Sequence, residues 1–324
     1  MEPKEWENIR KVTPKCSHER KETAKIMKIL VTGVKGQLGH DVVNELTGRG
    51  HQAIGVDIEE MDITDPGSVE QAVSQAKPDG VIHCAAWTAV DDAEDEKNRE
   101  KVRLVNGTGT KHVADACKRH GCKLMYISTD YVFDGQGSEP WDPDCKDYRP
   151  LNVYGQTKLE GELAVSSTLD QYFIVRIAWV FGKNGKNFIR TMLNIGKKLD
   201  TLKVVDDQIG TPTYTFDLAR LLVDMIETDK YGCYHATNEG CYISWYEFAT
   251  EIFRQASAMG HEEYDQEHLQ VIPVTTAQYG LSKAPRPFNS RLDKEKLIRQ
   301  GFAPLPDWKD ALRRYLKEIQ ADFS

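Results

Sequence analysis

The chain has 324 residues, 40% hydrophobic and 28% charged, with a formal net charge of -8. That length suits about two domains around a large core, and the acidic balance argues against a nucleic-acid-binding surface or one that rests on an anionic membrane. No apolar run approaches the ~20 residues of a membrane span, and the seven cysteines form no Cys-x-x-Cys pair or metal-spaced cluster, so reduced thiols in a cytoplasmic protein are the simpler reading and no metal is expected.

Residues 1–26 are dense in Lys, Glu and Arg, contain Pro3 and Pro14, and lack the apolar segment of a secretory signal. They read as a disordered extension or a mis-called start, with Met27 opening the fold. Lys28-Ile29-Leu30-Val31-Thr32 then runs into three glycines spaced three apart, Gly33, Gly36 and Gly39, and a helical pattern of Leu38, Val42, Val43 and Leu46 follows. This is a buried strand, a tight turn and a helix start. Residues without Cβ let a phosphate approach the backbone, and the free N–H groups of the first helical turn point at it. A dinucleotide held by its pyrophosphate at Gly33, Gly36 and Gly39 is the reading, with Gln37 and Leu38 also taken as cofactor-binding residues and close strand–helix packing as the bland alternative.

Gln52 to Asp57 is a second strand, and its terminal Asp57 stands where a carboxylate would accept hydrogen bonds from the adenosine ribose. Asp57 favours NADH, whereas Lys35 inside the turn favours NADPH. Thr64 or Asp65 caps the next helix, with Pro66 at its first position. Gly80 to Ala86 is a third strand ending in small side chains, which leave room for a ligand at the sheet edge. A long helix is expected from about Asp95 to His120, with Asn106 and Gly107 in its middle marking a kink or a functional contact. Lys123 to Thr129 is a fourth strand that ends in Ser128 and Thr129. After a Gly-, Pro- and Asp-rich loop, a helix opens with Tyr154 and Lys158, four apart and so on one face.

A phenol with a pKa of about 10 is a poor acid–base group at neutral pH, and a cation one helical turn away is expected to lower that value. Together the parts suit a carbonyl reductase. Nicotinamide delivers hydride, Tyr154 supplies the proton, Thr129 donates a hydrogen bond to the oxygen, and Lys158 acts on Tyr154 and the nicotinamide ribose. In the second half, helices are expected over Phe188 to Leu199, Asp217 to Glu227 and Ser244 to Ala258, the last with a Ser244/Glu247 capping box. Strands are expected at Leu202–Val205 and Gly232–Thr237. Arg286 and Arg291 are natural partners for a diphosphate.

The motifs resemble the extended short-chain dehydrogenase/reductases. Thr32-Gly33-x-x-Gly36-Gln37-Leu38-Gly39, Ala85-Ala86-Trp87-Thr88-Ala89-Val90-Asp91, Ser128-Thr129-Asp130-Tyr131-Val132-Phe133-Asp134-Gly135 and Tyr154-Gly155-x-Thr157-Lys158 are, within that superfamily, similar to the dTDP-4-dehydrorhamnose reductase family. So are Arg176-Ile177-Ala178-Trp179, Asp207-Gln208-x-Gly210-Thr211-Pro212-Thr213 and Arg286-Pro287-x-Asn289-Ser290-x-Leu292-Asp293. The resemblance covers the chain from about residue 28 onward. It implies an α/β, Rossmann-type doubly wound parallel sheet over residues 27–178, with a smaller, interleaved C-terminal substrate domain over residues 179–324. It also implies NADPH- or NADH-dependent reduction of a dTDP-4-keto-6-deoxy sugar.

By the same resemblance, Thr129, Tyr154 and Lys158 take the catalytic places. Asp62, Ile63, Ala85, Ala86 and Thr88 lie along the cofactor, and Val90, Asp91, Asp130, Trp179, Arg286 and Asn289 lie by the sugar nucleotide. Some relatives form homodimers. Two alternatives stay open: a non-catalytic subunit similar to the regulatory β subunit of methionine adenosyltransferase, and a sugar-nucleotide epimerase.

Overall fold

The computed structural model describes residues 25–323. The extension expected over residues 1–26 lies, apart from Lys25 and Ile26, outside the described residues. Strand β1 (Lys28–Thr32) is apolar on both faces, as a parallel strand covered by helices must be. It pairs in parallel with β2 (Gln52–Val56) on one side and with β3 (Gly80–His83) on the other. Beyond β3 come β4 (Lys123–Thr129), β5 (Tyr172–Ile177) and the Gly232–His235 strand, all parallel. The six-stranded order is therefore Gly232–His235, β5, β4, β3, β1, β2.

Side-chain alternation divides this sheet's two faces. Ile29 and Val31 pack with Val42 and Leu46 of α1 (Gln37–Gly48) and with residues of the Thr215–Ile226 helix. Leu30 points the other way, into a cluster with Val69 and Val73 of α2 (Pro66–Ala76) and residues of the later helices. Helices thus cover both faces. The chain leaves β1 for one neighbour and later returns to its other side, so the crevice for a ligand opens between the carboxyl ends of β1 and β3.

Asp65 is the residue that caps α2, accepting from the Gly67 N–H. The long helix expected over Asp95–His120 is interrupted. After the short α3 (Val90–Ala93), α4 runs Glu96–Arg103, a π-helical turn follows at Leu104–Gly109, and α5 covers Thr110–His120. The widened turn brings the buried Asn106 side chain to the β3 edge. Its Oδ1 accepts from the Trp87 N–H at 2.8 Å, and its Nδ2 donates to the Trp87 carbonyl at 3.1 Å and the Thr157 hydroxyl at 3.1 Å. A polar side chain that pins another segment is a recognised cause of such a bulge.

α6 (Val153–Thr168) starts at Asn152, whose side chain accepts from the Gly155 N–H. The rest forms a second layer around its own core: α7 (Phe188–Gly196), α9 (Trp245–Ala258) and the Trp308–Glu318 helix enclose Phe181, Leu193, Phe248 and Tyr315. α8 (Thr215–Ile226) lies between α7 and α9 in the chain but packs on the central sheet. The Ser244/Glu247 capping box at the start of α9 is present. The expected Leu202–Val205 strand runs from Thr201 and pairs in parallel with Gln270–Val274, apart from the main sheet.

Candidate active site

A cavity of about 940 Å³ lies along the carboxyl edge of the sheet. The glycine turn forms its floor at one end. Gly33 has φ +69°, and a Cβ there would stand 2.8 Å from the backbone of Ala85; one on Gly39 would stand 2.4 Å from the Gly33 carbonyl. The turn therefore accepts no side chain at these two places. Gly36 precedes α1 with no side-chain cap, and the first turn of α1 holds no acid. Open N–H donors at a helix start beside a cavity suit a phosphate.

Asp57 faces the same cavity, its carboxylate accepting from the Lys35 N–H at 3.0 Å and the Ile58 N–H at 2.9 Å. The Lys35 ammonium itself is paired with Glu59 at 2.6 Å in solvent. The Lys35 charge expected to compete with Asp57 is thus already matched. Asp62, Ile63, Ala85, Ala86, Thr88 and Val90 also line the cavity. Gln37 does so as well, but its side-chain oxygen accepts from the Gly182 N–H at 2.8 Å and from Asn187 at 3.0 Å, bracing α1 against the second layer.

At the cavity's centre stand Thr129, Asp130, Tyr154 and Lys158. Lys158 is buried; its Nζ donates to the Ile127 carbonyl at 2.7 Å and lies 4.1 Å from the centre of the Tyr126 ring. Burial pushes its pKa down to about 7, against the pull of Glu162 and Cys84. Burial likewise pushes the Tyr154 phenol well above its ordinary value, the Asp130 carboxyl adds to the rise, and the Thr129 hydroxyl opposes it. The net direction for Tyr154 is thus upward, against the lowering expected from the spacing, while the Lys158 ammonium is engaged by the Ile127 carbonyl and the Tyr126 ring. Tyr154 therefore stays protonated at neutral pH.

The far end of the cavity is closed by Trp179 and Arg286. Trp179 has φ +50°, an uncommon conformation for a non-glycine residue. Its indole stacks on Trp245 with ring centres 3.7 Å apart, and Gly210 lies against its edge. Arg286 donates to Asp91 at 2.7 Å, to the Ser282 hydroxyl at 2.8 Å and to the Tyr131 hydroxyl at 3.2 Å. Tyr131 in turn meets Tyr154 edge-on, at 5.6 Å.

Two expected sugar-nucleotide residues lie elsewhere. Asp91 is not in the cavity wall. Its Oδ1 accepts from the Lys283 and Ala284 N–H groups at 3.1 and 3.0 Å, and its Oδ2 takes Arg286. Burial tends to raise its pKa, but the Ala284 N–H and Arg286 outweigh burial and hold it below the usual carboxylate range. Asn289 is buried, donating to the Gln136 and Glu139 carbonyls at 3.3 and 2.8 Å and accepting from Arg291. It shapes a loop and does not face the cavity. The reading of the sequence missed Tyr131, Trp245 and the Asn184–Lys186 segment as lining residues. Tyr131 sits inside a quoted motif, whereas Trp245 carries no signal beyond being the first residue of a capped helix.

The family model for the RmlD substrate binding domain matches residues 27–321. A dTDP-4-dehydrorhamnose reductase of Aggregatibacter actinomycetemcomitans is 40% identical over 298 residues, covering 88% of this chain and 97% of that protein. The spore coat polysaccharide biosynthesis protein SpsK of Bacillus subtilis is 38% identical over 291 residues, covering 90% of this chain and 97% of that one. Among solved structures, a dTDP-4-dehydrorhamnose reductase from Bacillus anthracis in complex with NADP superposes with a TM-score of 0.83 at 39% identity, covering 91% of this chain and 100% of that chain.

Proposed function

The chain belongs to the RmlD substrate binding domain family, and on that premise we propose that it is a dTDP-4-dehydrorhamnose reductase, which reduces the 4-keto group of dTDP-4-dehydro-L-rhamnose to give dTDP-L-rhamnose. The observation that carries this reading is that one cavity holds both an uncapped helix start behind a glycine turn and the Thr129–Tyr154 hydroxyl pair. The residues fit a dinucleotide, because the start of α1 has no side-chain cap and no acid in its first turn and opens onto the cavity. The relative solved with NADP supports the same cofactor class.

When bound, NADPH or NADH supplies the hydride. The chain does the rest. The Gln37 and Leu38 N–H groups hold the pyrophosphate, while the Gly36 N–H closes the turn on the Gly33 carbonyl at 3.0 Å; Asp57 accepts from the adenosine ribose, and Ala85, Ala86 and Thr88 leave the sheet edge clear. Asp62 and Ile63 border the adenine end. Val90 and the flat face of Trp179 border the deoxyhexose, and Arg286 meets the diphosphate with its planar fork. Tyr154, which holds its proton at neutral pH, gives that proton to the 4-oxygen as negative charge develops there. Thr129 steadies that oxygen. Lys158 holds the nicotinamide ribose. Six free thiols among the described residues support a cytoplasmic setting, and no described helix is long and apolar enough to cross a membrane.

The test is loss of nicotinamide absorbance when the purified chain meets a dTDP-4-keto-6-deoxyhexose, run with NADH and with NADPH. Tyr154→Phe should cut turnover by about 10²–10⁴-fold while cofactor affinity stays within about twofold. Cofactor binding without sugar-dependent turnover would instead favour the regulatory-subunit reading. Product formation without net cofactor oxidation would favour the epimerase.

A further inference from the structure

The Thr129 hydroxyl carries one proton. In this structure it donates that proton to Asp130 Oδ1 at 2.9 Å, while its oxygen accepts the Tyr131 N–H at 3.2 Å. So placed, Thr129 has no hydrogen to offer a substrate oxygen. The Asp130 carboxyl is 2% exposed, and its second oxygen has no hydrogen-bond partner among the described residues. An ionised carboxylate left half-satisfied in a buried site is costly. Such a carboxyl is a candidate to carry a proton of its own.

We propose that Asp130 is a positioning residue that sets the direction of the Thr129 proton: with Asp130 protonated and donating to Thr129, the Thr129 hydroxyl is free to donate to the substrate carbonyl, and with Asp130 ionised it is not. The inference rests on the reductase reading above and refines it. It moves Asp130 from direct contact with the sugar to an effect exerted through Thr129. Burial raises the Asp130 pKa to about 6, opposed by the nearby Ser290 hydroxyl, which makes no hydrogen bond to it in this structure, by the Thr129 hydroxyl that does, and by its own and the Tyr131 backbone N–H groups. The ionisable groups around it are Tyr131 beside it, Tyr154 from α6, and Arg286, which reaches Tyr131 from the C-terminal segment. Lys158 lies one helical turn further along α6 and loses its own proton nearer pH 7.

The sign follows. In the free enzyme kcat/KM is highest with Asp130 protonated and falls as pH rises through about 6, by about ten- to a hundredfold, the size of one charge-assisted hydrogen bond that Thr129 must break to donate elsewhere. Asp130→Asn keeps a donor toward Thr129 at every pH. The experiment is a pH profile of kcat/KM for the wild type, D130N, T129V and the double variant, with cofactor affinity measured alongside as a check on folding.

The expected result is that D130N loses the limb near pH 6 and keeps the later one of Lys158, and that D130N has no further effect in the T129V background. Persistence of the limb in D130N overturns the inference. So does a KM increase of equal size in both backgrounds, which would mean that Asp130 touches the sugar directly. If D130N binds no cofactor, the profile of T129V alone decides: the limb near pH 6 should be missing from it, and its survival there overturns the inference. Absence of wild-type turnover would instead refute the reductase reading itself.

Discussion

Glu162→Gln tests what holds the substrate side of the cavity together. Arg176 and Glu162 are both buried, and two hydrogen bonds of 2.8 and 2.7 Å join them. The same guanidinium donates to the Pro143 carbonyl at 3.2 Å and the Tyr148 hydroxyl at 3.1 Å, and it lies 5.0 Å from the centre of the Phe133 ring. Phe133 stacks flat on Trp141, with centres 4.4 Å apart. The loop between β4 and α6 is thus tied to the sheet through one cation.

Removing the Glu162 charge leaves that cation buried and uncompensated, which costs roughly 3–5 kcal/mol. At roughly 2–4 °C per kcal/mol for a protein of this size, Tm should fall by about 6–20 °C. Calorimetric unfolding measures the fall, and steady-state kinetics should show a higher KM for the sugar nucleotide as the loop loosens. Replacing both partners, Glu162→Met with Arg176→Met, removes the orphaned charge and should recover much of the loss. A Glu162→Gln protein that melts within about 1 °C of wild type, or a double variant no better than the single one, would refute the reasoning.

Two further outcomes follow from the site. Asp91→Asn keeps the shape but weakens the hold on Arg286 and on the Lys283–Ala284 backbone; KM for the sugar nucleotide should rise about tenfold, with cofactor affinity unchanged, because one charge-assisted contact is lost at the diphosphate end only. Lys158→Met should flatten the pH dependence of stability. The folded pKa of Lys158 is depressed to about 7, so above that pH the unfolded chain binds the extra proton, and this group makes the wild type gain stability as pH rises from about 7 toward the ordinary lysine value. The difference in Tm between wild type and variant, scanned from pH 6 to 9, should shift in the wild type's favour with pH, and a constant difference would count against the buried-charge account.

Much of the fold was legible because it rests on local periodicity. Continuous apolar runs marked β1 and β3, the 3.6 period marked α1 and α8, and Ser244 with Glu247 marked the start of α9. The break at Leu104–Gly109 was flagged only as a kink or a contact. Its cause is the Asn106 side chain reaching Trp87, a partner that no helical pattern names. Trp245 was invisible for a related reason. Its role comes from Trp179 stacking on it across two elements of the second layer.

The sequence by itself determined the glycine spacing that leaves the phosphate turn open, the shared helical face of Tyr154 and Lys158, and the hydroxyls at the end of β4. These are properties of backbone sterics and short-range geometry, so they survive without knowledge of distant contacts. Only the tertiary structure decided where protons and charges go. It gave the Lys158 ammonium to the Ile127 carbonyl and the Asp91 oxygens to Lys283, Ala284 and Arg286, turned Asn289 inward, and pointed the Thr129 hydroxyl at Asp130. Each outcome depends on burial and on hydrogen-bond partners, in most cases brought from far along the chain, and burial is what moves a pKa by units.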